Sequence, residues 1–150
     1  MSIDACSWTV ERDYPHPSKR VFAAWADPTV KVRWFDLSGN EAPDYRGEFR
    51  VGGMESFRTP TGAKPVFTYD AEYRDIIDNE RIVTTYEMSV DGRRTSVSVA
   101  AVELTVTSTG THLVYTEQGV YLDGLDSPQS RRMGTGSQLD KLAAVLKDQL

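Results

Sequence analysis

Between Val66 and Gln118 the chain alternates apolar and polar residues almost without pause, broken only at Asp78-Asn79-Glu80, Asp91-Gly92 and Thr109-Gly110. Breaks this short are hairpin connections, so the region predicts an antiparallel meander. Asp91-Gly92 is the pair a type I′ turn asks for, with positive φ at both positions. Along 66–77, Phe67, Tyr69, Ala71 and Tyr73 share one side against Thr68, Asp70, Glu72 and Arg74, which buries one face. Along 81–90, Ile82, Thr84, Tyr86 and Met88 share a face. Segment 95–108 starts with Val97 and Val99 in one phase and continues with Val102, Leu104 and Val106 in the other. That change predicts either a bulge near Ala100-Ala101 or a strand covered in part on both faces. Leu113, Tyr115 and Glu117 then share one side of the last strand.

Upstream, Trp8 to Tyr14 reads as a first strand stopped by Pro15 and Pro17, with residues 1–7 a loose N-terminus containing the lone Cys6. A helix over 17–26 places Pro17 first and Val21, Phe22 and Trp25 on one face. Asp27-Pro28 caps a second short helix carrying Val30, Trp34 and Phe35. Residues 37–43 form a loop, and the Gly52-Gly53 hairpin joins strands 45–51 and 54–59. Ser127-Pro128 opens a closing helix to Leu150, with Leu139, Leu142, Ala143, Leu146 and Leu150 at helical spacing. Its first half, Met133-Gly134-Thr135-Gly136-Ser137, is small and implies a bulky neighbour or a ligand close to the backbone. A seven-stranded sheet with one buried face needs a cover, and only this helix is long enough. The fold class is α+β, in one domain spanning 1–150.

Composition narrows the partners. The 150 residues carry 17 basic and 22 acidic side chains, a net charge of -5, and no basic run longer than the doublets Lys19-Arg20, Arg93-Arg94 and Arg131-Arg132. Neither nucleic acid nor an anionic membrane surface is therefore expected as a partner. No apolar stretch reaches the length of a membrane span and no secretory leader pattern opens the chain, so a cytoplasmic location is expected. One cysteine makes no disulfide or CxxC site, and HExxH and facial-triad spacings are absent, so neither metal nor other cofactor is expected. His16 and His112 are expected at the surface. Gly134-Thr135-Gly136-Ser137 lacks the lysine of a phosphate loop and follows no strand.

The order strand, two short helices, six strands, long helix resembles the helix-grip (START/Bet v1-like) fold of the START-like (SRPBCC) superfamily. Arg20-Val21-Phe22-Ala23-Ala24-Trp25-Ala26-Asp27-Pro28, Arg33-Trp34-Phe35, Val51-Gly52-Gly53, Thr116-Glu117-Gln118-Gly119 before Leu122-Asp123-Gly124, and Leu139-Asp140-Lys141-Leu142 resemble the branch named after the heat-shock-protein ATPase activator homologue. The resemblance covers about residues 8 to 150. It implies a curved seven-stranded sheet wrapped around the long helix, with a cavity between them for apolar or amphipathic small molecules. Relatives include lipid and sterol carriers and polyketide aromatase/cyclases. The chain departs at Gly134-Thr135-Gly136, where the branch often carries a tryptophan after the glycine; its loss enlarges or reshapes the cavity mouth.

The candidate lining is aromatic, with Trp34, Phe35, Phe57, Phe67, Tyr69, Tyr73, Tyr86 and Tyr115, joined by Met88, Leu104, Met133 and Ser137. Parity turns Glu55 (with Phe57) and Glu117 toward the concave side. A carboxylate there needs a partner or a raised pKa; the alternatives are water at a strand end or Arg58, Arg131 or Arg132. Three functions follow. The first is binding of a small apolar or aromatic molecule, oriented by the carboxylates and tyrosine hydroxyls. The second is a cyclase, dehydratase or hydrolase with Glu117 or Glu55 as base and a tyrosine as acid. The third is a module that docks on a chaperone, as the branch name suggests. A homodimer through the outer sheet face around Val97 and Val99 is compatible with all three.

Overall fold

The computed structural model describes residues 1–35, 44–60 and 62–148. Among these, strands β1 (Ile3–Tyr14), β2 (Asp44–Gly47), β3 (Met54–Arg58), β4 (Phe67–Ile77), β5 (Arg81–Val90), β6 (Arg93–Thr107) and β7 (Gly110–Leu122) build one antiparallel sheet in the order β1-β7-β6-β5-β4-β3-β2. Helices α1 (Ser18–Ala26) and α2 (Pro28–Lys31) follow β1, and α3 (Pro128–Asp148) closes the chain. The loop expected over 37–43 and the last helical residue, Leu150, lie outside the described residues.

Local chemistry sets most of the boundaries. Asp91 and Gly92 have φ of 51° and 80°, the doubly left-handed pair of a type I′ turn. At Gly53 a Cβ would lie 2.1 Å from the Glu48 carbonyl oxygen. Only glycine lets the chain turn there into β3, which carries Glu55 two residues later. The Asp27 carboxylate accepts from the Thr29 N–H at 2.9 Å, capping α2 with Pro28 in its first turn. Ser127 Oγ accepts from the Ser130 N–H at 3.1 Å at the start of α3. Pro17 is the cap of α1 rather than its first helical residue: its extended ψ of 150° keeps it outside the helix while its carbonyl accepts from Arg20 and Val21.

Two further expectations are corrected. The N-terminus is not loose: β1 begins at Ile3 because β7 runs on to Leu122 and offers a partner at every position, Ile3 against Leu122 and Cys6 against Gly119. Nor does the register shift at Ala100-Ala101. The irregularity lies between Met88 and Ser89, opposite Thr95, and from Ser96 onward every second residue through Leu104 is buried. The apparent phase change arose because small polar Ser96 and Ser98 face inward here while Val97 and Val99 face solvent.

The core forms where the second half of α3 meets the concave face. Leu139, Leu142 and Leu146 are fully buried there, as is Leu113 of β7. Each such leucine contributes about 1.5–3 kcal/mol of burial. The first half of α3 offers Gly134 and Thr135 instead, and packing is incomplete beneath it.

Candidate functional site

A chamber of about 130 Å³ lies between that first half and the sheet. Six residues expected at a cavity line it: Phe35, Phe67, Tyr69, Tyr86, Met88 and Tyr115. Its other wall comes from Arg131, Gly134, Thr135 and Gln138 of α3, with Ser130 and the preceding Asp126. Apart from Phe35, which follows α2, the apolar side is strand-borne, and apart from Asp126 the polar side is helical.

Glu117 is fully buried behind the tyrosines. Its Oε1 accepts from the Tyr86 hydroxyl at 2.5 Å and the Tyr115 hydroxyl at 3.0 Å, and its Oε2 from Tyr121 at 3.2 Å. Arg131 Nη1 stands 3.8 Å from Oε2 and donates to the Tyr86 oxygen at 2.9 Å. Its Nη2 donates to Ser96 Oγ at 2.9 Å and to Asp126 at 2.7 Å. Burial pushes the Glu117 carboxyl above the usual range, with the tyrosine hydrogen bonds and Arg131 working against it. Burial also disfavours the Arg131 charge, but Tyr86, Glu117 and Asp126 outweigh it and keep the guanidinium protonated.

Glu55 anchors a second cluster. Lys31 Nζ and the Tyr45 hydroxyl donate to its Oε2, as does Tyr73 at 2.8 Å, and Tyr69 donates to Oε1 at 3.0 Å. Burial alone would raise this carboxyl, but the Lys31 charge and the donated hydrogen bonds hold it below the usual range. Lys31 Nζ also lies 4.5 Å from the Phe35 ring centroid. The adjoining space is about 20 Å³, room for one water.

The expected residues therefore divide. Glu55 and Tyr73 line the small space, which shares Phe35, Tyr69 and Tyr115 with the chamber. Trp34, whose indole donates to the Ala24 carbonyl at 3.1 Å, is packed core, as are Phe57 and Leu104. Met133 and Ser137 are corrected outright: they face away from the chamber, Met133 75% exposed, in an open groove with Arg12 and Asp140. Helical period decides this. Counting back from Leu142 by four, seven and eleven gives Gln138, Thr135 and Arg131 on the buried stripe, while Met133 and Ser137 fall off it.

Extending the leucine spacing backward was thus the available signal for the chamber's helical wall. Lys31 was legible the same way, at i−3 and i−4 from Trp34 and Phe35. Of the partners weighed for the two carboxylates, Glu117 has Arg131, whereas Glu55 takes Lys31. His112 sits on the outer face between Asp13 and Glu11, whose hydrogen bonds raise its pKa, and His16 packs beside Arg20. Among the described residues no group of three or more His, Cys, Asp or Glu is placed to hold a metal ion, and no helix is long and apolar enough to cross a membrane.

A curved antiparallel sheet gripping one long helix defines the helix-grip class of the START-like superfamily. The family model described as Activator of Hsp90 ATPase homolog 1-like protein matches residues 15–147, and the chain belongs to that family. A structure of an uncharacterised protein from Rhizobium leguminosarum is similar at 37% identity and a TM-score of 0.92, covering 98% of this chain and 97% of its own. One from Rhizobium loti has 41% identity and a TM-score of 0.88, with 97% and 99% covered. A Chromobacterium violaceum protein at 22% identity, TM-score 0.74, with 93% and 96% covered, shares the fold. No curated protein matches the chain.

Proposed function

We infer that the protein binds a small, largely apolar molecule in the chamber beneath the first half of α3. The observation that carries this reading is incomplete packing at one defined place: Phe67, Met88 and Tyr115 face Gly134 and Thr135 across unfilled space, while the other half of the same helix is fully packed. Apolar walls with a few convergent polar groups are the ordinary form of a ligand site. Affinity would come from buried apolar area, at about 25 cal/mol per Å². Native mass spectrometry of protein purified from its own host, followed by denaturing extraction, tests this. One defined small molecule is expected. Apo protein that no apolar compound stabilises would overturn the reading.

A second reading has its own observation. Tyr86 lies on the chamber wall with its hydroxyl between Arg131 and Glu117, the arrangement an acid/base step needs. In an enzyme of cyclase, dehydratase or hydrolase type, Glu117→Gln would abolish turnover and leave binding intact.

A further inference from the structure

We propose that the chamber selects a neutral, single-ring compound bearing one hydrogen-bond acceptor, a carbonyl oxygen in the simplest case, and that the Gln138 side-chain amide is the group that recognises it. This rests on the binding reading above and adds size, charge and a polar anchor.

Size follows from volume. About 130 Å³ is close to the roughly 150 Å³ of an apolar cavity that accommodates benzene. One ring fits within it, whereas a sterol nucleus would have to extend out of its open side beside Gly134. Space is open beside Gly134, where a Cβ would meet nothing within 4 Å, so a short substituent can extend along α3.

The anchor is Gln138. It lines the chamber and is 7% exposed, yet its Nε2 is buried with no hydrogen-bond partner. Buried amide donors are almost always paired, because an unpaired one has given up water for nothing. The donor has almost no accessible surface of its own, so recognition includes a turn of the Gln138 side chain toward the chamber, where a ligand oxygen supplies the missing acceptor.

Charge is excluded by what surrounds Arg131, the one cation among the described lining residues. Both its terminal nitrogens are committed, to Tyr86, Ser96 and Asp126, and Glu117 lies 3.8 Å away. An anionic ligand would meet the Asp126 carboxylate and, among the described lining residues, no free cation, since Lys31 of the neighbouring space is taken by Glu55.

Calorimetric titration of the full chain with ethylbenzene, acetophenone and benzoate separates these elements. Wild type should bind acetophenone about tenfold more tightly than ethylbenzene, the worth of one net hydrogen bond, and benzoate far more weakly than either. Gln138→Met should lose the preference for acetophenone over ethylbenzene, with a wild-type circular dichroism spectrum and a cooperative thermal transition reporting correct folding. If that variant does not fold, Gln138→Asn, whose amide is one methylene short, should lose the preference instead. An equal acetophenone preference in wild type and variant, or benzoate binding as tight as acetophenone, overturns the proposal. Ethylbenzene binding without any preference overturns it and leaves the binding reading standing; failure of all three compounds overturns it as well, and the binding reading falls with it only if native mass spectrometry finds apo protein that no apolar compound stabilises.

Discussion

The two buried glutamates sit on the same concave face, each ringed by tyrosines, and differ in their cation. Glu55 touches Lys31 directly, and the space beside it is the size of one water. Glu117 has its guanidinium 3.8 Å away, shared with Asp126, and lies behind the wall of a chamber several times larger. The first arrangement neutralises charge and fills volume. In the second, a carboxyl raised by burial stands one tyrosine hydroxyl back from unfilled space. Two similar side chains thus mark a structural pin and a candidate functional site, and the position of the partner decides which is which.

The comparison breaks first at Lys31. Lys31→Met leaves Glu55 buried without its cation and should cost about 3–5 kcal/mol in chemical denaturation. Adding Glu55→Gln should recover much of that loss; no recovery would mean that Lys31 acts through packing alone.

At Glu117 the effect is smaller and depends on pH. Its folded pKa lies above the unfolded value, so its contribution is fully present below the ordinary glutamate range and is lost as pH rises through the folded pKa. Glu55, with its folded pKa depressed, contributes above that range and loses its part as pH falls. Glu117→Gln should therefore abolish the decline on the rising-pH side and keep the acid-side decline. Denaturation midpoints measured from acid to neutral pH would reveal either pattern.

Gly134 offers a gain. Its Cβ would meet nothing, so Gly134→Ala should stabilise the chain by about 1 kcal/mol through helix propensity alone. A loss instead would mean that something already fills the chamber. Smallest of all, Met133→Ala, on the solvent side of α3, should change stability by less than about 0.5 kcal/mol and leave ligand affinity alone.

Most of the fold was readable because its signals are local. Asp91-Gly92, Asp27-Pro28 and Ser127-Pro128 each determine a turn or a cap within a few residues, and alternation along β4 and β5 gave the buried face directly. The site was half readable for the same reason. Parity turned Glu55, Glu117 and the tyrosines inward, but it carries no information on which cation meets which carboxylate, a matter of register between elements distant in the chain. Lys31 and Glu55 are brought together only when α2 docks over β3. On α3 the weakly apolar first half hid its inward stripe, and Met133 attracted the assignment that belongs to Gln138. On β6, Ser96 and Ser98 at buried positions inverted the usual reading of polarity.

The chain's four methionines allow the most direct test of the chamber as the binding site. Met88 is buried in the chamber wall, whereas Met1, Met54 and Met133 are exposed. With methionine methyl groups labelled with carbon-13, titration with ethylbenzene or acetophenone should move the Met88 resonance saturably and leave the other three in place. Movement of Met133 or Met54 with Met88 unchanged would put binding on the surface and contradict the account.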